Sequence, residues 1–522
     1  MNKIENFLFL PLIVMAGFFL NAQNSLDLQR YSGYSIIGTA RTIGIGGAAS
    51  AIGADFGSVS LNPASLAFYR KSDLGFTAGF RNFNTQTNHI GNLSNASTAN
   101  FGFSNLHFVF ADASGGESDK LKGWAFGIGF NQLDNYYRKT EASAFNKYNS
   151  IGDYYVLLAG NTSANNLQES SLPFLAYDTY YIDTINGIAN AWVPVVDGNM
   201  QQNYSRKETG RLNSWEFNLG FNVNDKLYIG AGLGVLDAKY TSSEVLREID
   251  TQNLYDTLYA NFDRIDIASF EQRYRFSTSG VGVNGKLGVI FRPVDAFRIG
   301  VGLQTPTTFN LKDAYQVGMT MTQDGGAQYS KEGPEGLYQY RLRTPIRVTL
   351  GAVGFIEKTG LISFDLDYID YSQSSLLDNF NTSTFNVANR AVSQLGNSSA
   401  INFRLGGELR NNQYYFRGGY ANFASFWNAE GEKYDDLSTY EATSRTFQVK
   451  NYKSNRQCFT IGTGYREEEI YLDFAIIYQI DYLKYNLYEM PVNAPILGWG
   501  VSPVILQKRT QIGMIFTFGF RF

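Results

Sequence analysis

Cysteine is nearly missing from this chain of 522 residues: Cys458 stands alone, which excludes a disulfide framework and any cysteine-rich zinc or iron–sulfur site. Only two histidines, His89 and His107, are present, and nothing in the sequence around them implies a cofactor. Proline is down to 11 residues and charge to 17%, below the usual share of about a quarter. Lys+Arg 43 against Asp+Glu 47 leaves a net charge of −4 with no basic block, so the chain lacks what a nucleic-acid binder needs to meet many phosphates. Beyond the first 22 residues no segment reaches the roughly 18 uninterrupted apolar residues of a membrane helix. Linkers are missing too. A chain long enough for three or four soluble domains of roughly 150 residues shows no break in its middle, which points to one large body.

What is abundant is aromatic residues and glycine: Phe 40, Tyr 35, Trp 5 and Gly 52. Their spacing has period two. Trp124, Phe126, Ile128 and Phe130 alternate with Ala125, Gly127 and Gly129, and Trp215, Phe217, Leu219 and Phe221 alternate with Glu216, Asn218 and Gly220. One face is greasy and the other small or polar, as in strands with lipid on one side and a lumen on the other. Fourteen such runs can be traced, near 73–88, 99–112, 121–143, 211–223, 226–248, 268–292, 295–318, 338–355, 360–375, 399–410, 413–425, 455–465, 470–488 and 507–522. Tight connections at 224–226, 292–297, 411–412 and 466–469 alternate with long ones at 144–210, 319–337, 376–398 and 426–454, the asymmetry of periplasmic turns and outer loops. With spanning helices excluded, only a closed barrel can cross a bilayer. The fold class expected is all-β: a 14-stranded antiparallel transmembrane β-barrel. Lys3, the apolar stretch from Phe7 to Leu20 and Leu20-Asn21-Ala22 read as a secretory signal over 1–22, removed on the way to the cell outer membrane. The last strand puts Ile512, Met514, Phe516, Phe518, Phe520 and Phe522 on one face. Its aromatic carboxy-terminus, Phe522, resembles the closing-strand signal read by the outer-membrane insertion machinery.

Residues 25–70 do not alternate. Ala40-Arg41 is followed by Gly44-Ile45-Gly46-Gly47-Ala48, then Gly53-Ala54-Asp55, then Leu61-Asn62-Pro63-Ala64-Ser65-Leu66-Ala67. A barrel of fourteen strands encloses a lumen too wide for its own side chains to fill, so such a small-residue segment suits the inside of the barrel. These motifs closely resemble the amino-terminal hatch of the FadL/TodX family of outer-membrane transporters for hydrophobic compounds, and the likeness covers the whole mature chain. The family's Asn-Pro-Ala signature falls on Asn62, Pro63 and Ala64, with Gly44, Gly46 and Gly47 as the glycine-rich run; Ser65 stands where the family commonly has glycine. The resemblance implies an N-terminal hatch over 23–72 plugging a barrel over 73–522. It further implies a groove for first substrate capture, shaped by the loops after the third and fourth strands.

Three groups of residues are candidates for function. With the aromatic face toward lipid, Arg341, Arg343, Arg347, Asp365, Asp367, Arg404, Glu408 and Arg417 project into the lumen, where they either pair across strands or meet a ligand carboxylate. Asp473, Asp481, Arg509 and Arg521 belong to the same lining. The loop 144–210 carries apolar patches, including Leu157, Leu158, Phe174, Leu175, Trp192 and Val195, which either fold back as a lid or form a greasy groove. Cys458 reads as a small lumen filler.

The function that follows is passive passage of hydrophobic small molecules, such as fatty acids or aromatic hydrocarbons, with outer-membrane lipid as surroundings and no enzyme activity. A Ser–His hydrolase lacks both a nucleophile elbow and a second strand histidine, a haem receptor lacks an axial-ligand arrangement, and a polar porin conflicts with the hatch. The rival reading is an accessory barrel of an outer-membrane secretion or assembly machine, with protein partners on outer loops such as 426–454.

Overall fold

The computed structural model describes residues 25–116, 120–185, 188, 190–255, 258–260, 263–378, 385–428, 455–488 and 503–522. The signal 1–22 and nearly all of the loop 426–454 lie outside the described residues. Fourteen strands run in order around a closed antiparallel barrel. They are β1 (Asp73–His89), β2 (Asn92–Asp112), β3 (Leu121–Asn135, continuing as Arg138–Asn146), β4 (Met200–Val223), β5 (Leu227–Ile249), β6 (Ser269–Val294) and β7 (Phe297–Gln304, continuing as Thr308–Thr322). There follow β8 (Gly336–Arg343, continuing as Arg347–Ile356), β9 (Gly360–Ile369), β10 (Ala400–Asn411), β11 (Tyr414–Phe423), β12 (Arg456–Arg466), β13 (Ile470–Asn486) and β14 (Val504–Arg521). Closure is made by β1 on β14, in register from Asp73↔Arg521 to His89↔Ile505.

Period two produces this sheet. Phe76, Phe80, Phe101, Phe103, Trp215, Phe217, Phe516 and Phe518 stay exposed on the outer face, while the residues between them are buried. An aromatic belt of this kind around a sheet without edges belongs in an outer membrane. No helix among the described residues is long and apolar enough to cross one. Strands of 21 to 26 residues, such as β2, β4 and β6, exceed the roughly 9–11 that span a bilayer, so the barrel extends beyond it. His89 ends β1, because β1 and β2 pair as far as His89↔Asn92 around Ile90 and Gly91.

Two expected lumen residues face the other way. Arg341 and Arg343 alternate with buried Tyr340 and Leu342 and lie on the outward face. The cause is the interruption at 344–346, which contains Pro345 and adds an odd number of residues, so the inward phase passes from even positions to Arg347 and Thr349. Neighbouring β7 is interrupted alongside it at 305–307, where Thr344 N donates to Thr307 O at 3.0 Å.

Ahead of β1 come three short helices, α1 (Ser25–Ser32), α2 (Ala40–Gly44) and α3 (Phe56–Leu61), and a 3-10 turn, Pro63–Phe68. Leu28 and Tyr31 of α1 are buried among Tyr240, Phe309, Tyr340 and Trp427, toward the outer end of the barrel. The chain then descends to the turn ends at Gly230 and Gly288, so the segment threads the barrel from its outer end to its periplasmic end.

Candidate functional site

The N-terminal segment touches inward-facing residues on every side of the barrel. Ala40 N donates to Thr517 Oγ1 of β14 at 2.8 Å, and Thr460 Oγ1 of β12 donates to Gly44 O at 3.1 Å. Arg41 forms a two-pronged pair with Glu408 of β10, Nε and Nη2 each 3.0 Å from a carboxylate oxygen. Glu408 also accepts from Arg417 Nε at 2.6 Å, and Arg417 Nη1 reaches Asp473 at 2.6 Å, so one buried chain of charge runs from the segment through three strands. A second begins at the backbone N–H groups of Ala49 and Ser50, which donate to Asp365 Oδ2 at 3.0 Å; Arg404 then joins Asp365 and Asp367, and Arg347 lies 3.8 Å from Asp367. A third joins Ser60, Glu216 and Lys286. Desolvated charges tolerate such burial only when each has a partner, and these do. Of the eight expected lumen charges, the six that point inward are therefore spent on one another and on the segment.

The Asn62-Pro63-Ala64 motif starts the 3-10 turn. Asn62 Oδ1 accepts from Ala64 N at 3.1 Å as the cap, Pro63 supplies the fixed dihedral of the first position, and Asn62 Nδ2 donates to Val289 O of β6 at 3.3 Å. The wall opposite is glycine because nothing larger fits. A Cβ on Gly288 would stand 1.9 Å from Asn62 Oδ1, and one on Gly230 would stand 2.3 Å from Pro63 C. Gly46 has φ +67 and would place a Cβ 2.8 Å from Tyr420 N of β11, so both conformation and proximity demand glycine there. Gly47 has φ +74, and Gly44 lies against the Arg417 side chain. The Ser65 hydroxyl is buried with no hydrogen-bond partner among the described residues. Asp55, at the end of the Gly53-Ala54-Asp55 stretch, gathers Thr39 Oγ1, Thr42 Oγ1 and Gly57 N around one carboxylate, a role its spacing does not signal.

The β2–β3 ladder does not run all the way up. β2 pairs with β3 only from Asn105↔Asn131 to Asp112↔Trp124, whereas β2 remains paired with β1 up to Asn92. Above that level the β2–β3 ladder stops: a bulge falls between Gln132 and Asp134, the strand is interrupted at 136–137, and the rest pairs with β4 from Arg138↔Glu208 to Asn146↔Met200 while lying against β1 and β2, where Thr87 Oγ1 donates to Glu141 O and Asn92 Nδ2 to Ser143 O. At the level of the break, side chains join the two strands and β1. Asn135 Nδ2 donates to Asn100 Oδ1 at 3.0 Å, and Arg81 of β1 donates to Ser104 Oγ and Gln132 Oε1 at 2.9 Å each.

Above the opening, the outer loop 147–199 folds on the upper ends of the strands. Helices α4 (Ile151–Ala159) and α5 (Leu172–Asp178) bury Tyr155, Leu175, Trp192 and Val196 against Phe270, Val317 and Met319 of β6 and β7. Tyr181 stacks on Phe270 at 3.7 Å. The Glu248 carboxylate of β5 holds the start of α4, accepting from Ile151 N at 3.1 Å and Gln202 Nε2 at 2.6 Å. Leu175 and Trp192 are thus core residues of this loop. Phe174 and Val195 are half-buried against that core, and Leu157 and Leu158 are half-exposed. His107 is held by Asn105 and stacked 4.8 Å from Phe56, leaving it in the packing of the segment. Cys458 is buried.

No family model and no curated protein matches this sequence. Solved structures do. A FadL homologue of Pseudomonas aeruginosa aligns over 94% of this chain and 99% of its own, with 14% identity and a TM-score of 0.52. The TodX monoaromatic hydrocarbon channel, in a ΔS2S3 mutant form, aligns over 93% and 99% with 15% identity and a TM-score of 0.50. The fold is the one these FadL-type channels share. At such identity the likeness concerns architecture, and function has to be argued from the opening, the segment and the outer loop.

Proposed function

We propose that this barrel carries hydrophobic small molecules passively across the outer membrane and releases them sideways through the opening between β2 and β3. The interrupted β2–β3 ladder carries the reading. A lumen crossed by a tightly seated segment offers little to water and ions, while an opening in the wall above it faces the aromatic, lipid-contacting surface. Lipophiles gain roughly 25 cal/mol per Å² of apolar area taken out of water, so a path from an apolar loop surface to the membrane interior runs downhill. Residues 23–72 act as the hatch. Leu157, Leu158, Phe174 and Val195 are the accessible part of a first-contact surface, stiffened from beneath by Leu175 and Trp192. The neighbour described as a monoaromatic hydrocarbon channel supports the same class of cargo.

The opening can be closed on purpose. Asn100→Cys and Asn135→Cys, in a Cys458→Ser background, place thiols where the two side chains now meet at 3.0 Å, within reach of a short bifunctional thiol reagent. Cross-linking is expected to stop uptake of a hydrophobic probe by cells producing the barrel, with assembly unaffected. Unchanged uptake would remove the lateral route. Uptake independent of the protein, together with a stoichiometric co-purifying protein, would favour the accessory-subunit reading.

A further inference from the structure

Where the opening meets the N-terminal segment there is a cavity of about 30 Å³. Ile36 and Ile43 of the segment and Ile477 and Ile515 of β13 and β14 form its apolar wall, and Arg81 and Asp134 line it too. Arg81 spends its observed hydrogen bonds on two neutral acceptors, Gln132 Oε1 and Ser104 Oγ, and Asp134 Oδ1 accepts from its neighbour Asn135 N at 2.7 Å. Among the described residues neither takes part in a salt bridge. A guanidinium with three further N–H donors and a carboxylate with further acceptor capacity therefore share one small space. Arg404 is committed to Asp365 and Asp367, Arg417 to Glu408 and Asp473, and Arg509 to Asp481, while Arg456, whose charge also acts on Asp134, donates Nη1 to Tyr34 O at 3.0 Å.

We infer that this cavity is a head-group site for a neutral hydroxyl, so that the favoured cargo is a lipophilic alcohol or phenol and not a fatty acid. A hydroxyl satisfies both walls at once, accepting from Arg81 and donating to Asp134. A carboxylate gains Arg81 but is set against a second carboxylate, and a bare hydrocarbon leaves both groups without a new partner. The size agrees. A cavity of this size holds one or two water-sized groups, enough for a hydroxyl and its first carbon. The isoleucines receive the start of the chain, whose remainder extends through the opening. The assignment rests on the opening being the passage for cargo.

Binding and transport separate the two ideas. Equilibrium binding of 1-octanol, octanoate and octane is measured on the full chain in nanodiscs, with empty nanodiscs subtracted. The unaltered protein is expected to bind 1-octanol about ten-fold more tightly than octanoate, the scale of one hydrogen bond to a charged group. Asp134→Asn should narrow that preference by admitting octanoate, and Arg81→Gln should weaken 1-octanol while leaving octane unchanged. Heat-modifiable migration on gels reports that each variant is folded. Octanoate binding as tightly as 1-octanol overturns the assignment, as does an unchanged ratio in Asp134→Asn or an equal loss of octane and 1-octanol in Arg81→Gln. Cellular uptake of 1-octanol that does not depend on the protein, alongside the expected binding pattern, would instead strike the transport reading and leave the head-group site standing.

Discussion

The N-terminal segment and the outer loop 147–199 both lie across the barrel axis, yet they are held by opposite means. The segment is seated by buried ion pairs, backbone N–H groups on carboxylates and wall glycines that admit its backbone. The outer loop has an apolar core of its own, with Tyr155, Leu175 and Trp192 packed on strand ends and Glu248 as its polar pin. Charge networks fail abruptly when one member is lost, because the partners remain buried and unpaired, whereas an apolar core weakens in proportion to what is removed. A barrier against water suits the first kind of attachment. A surface proposed to yield to lipophiles suits the second.

The largest expected effect comes from removing one region or the other. Deleting residues 25–70 should turn a poorly conducting barrel into a large aqueous pore in planar bilayers, while deleting 151–196 should leave conductance low. A silent 25–70 deletion would transfer the barrier to the outer loop. Next comes the charge chain: Glu408→Ala strands Arg41 and leaves Arg417 paired with Asp473, a loss of roughly 3–5 kcal/mol for a broken buried pair. Because the β-ladder is untouched, the expected outcome is a leak with normal heat-modifiable migration; a tight barrel would mean that the segment is seated by its glycine contacts alone. Smaller and more local is the outer loop. Leu175→Ala and Trp192→Ala should each cost about 2–5 kcal/mol of loop stability. Protease nicking within 147–199 should rise, with conductance unchanged.

The fold was legible because outward apolar residues, aromatic in most strands and aliphatic in β5 and β8, mark every strand, and period two survives even where strands continue beyond the bilayer. Phase within a strand was less legible. Arg341, Arg343 and Arg347 share odd numbers, and only Pro345 between them signals that the inward face changes parity. Pro306 marks the same event in β7. The break in the β2–β3 ladder was hidden for a related reason: alternation resumes in Arg138–Asn146 after the interruption, so the sequence reads as one long strand although its upper part no longer ladders with β2. Asn135-Tyr136-Tyr137, with the Asn135 side chain accepting from Tyr137 N at 3.0 Å, is the local sign. Arg41 could not be matched to Glu408 without the fold, since 367 residues separate them.

The mildest effect sharpens the comparison through pH. Asp153 sits in the first turn of α4, where one carboxylate oxygen accepts from Ser150 N at 2.8 Å and the other is buried without a partner among the described residues. Burial, reinforced by the carboxylates of Asp197 and Glu248, pushes it up to about 7. In the unfolded loop it ionises near the ordinary value of about 4, so the folded form holds the proton more tightly. The stabilisation is complete below about pH 4 and is lost as pH rises toward 7, because the unfolded state gives up its proton first. Protease nicking in 147–199 should therefore increase between pH 5 and 7.5. Asp153→Asn keeps an acceptor for Ser150 N but cannot ionise, so the slope should shrink while conductance stays flat at every pH. A slope unchanged by that substitution would assign the pH response to another group, and a conductance that follows it would mean that the outer loop and the N-terminal segment are coupled after all.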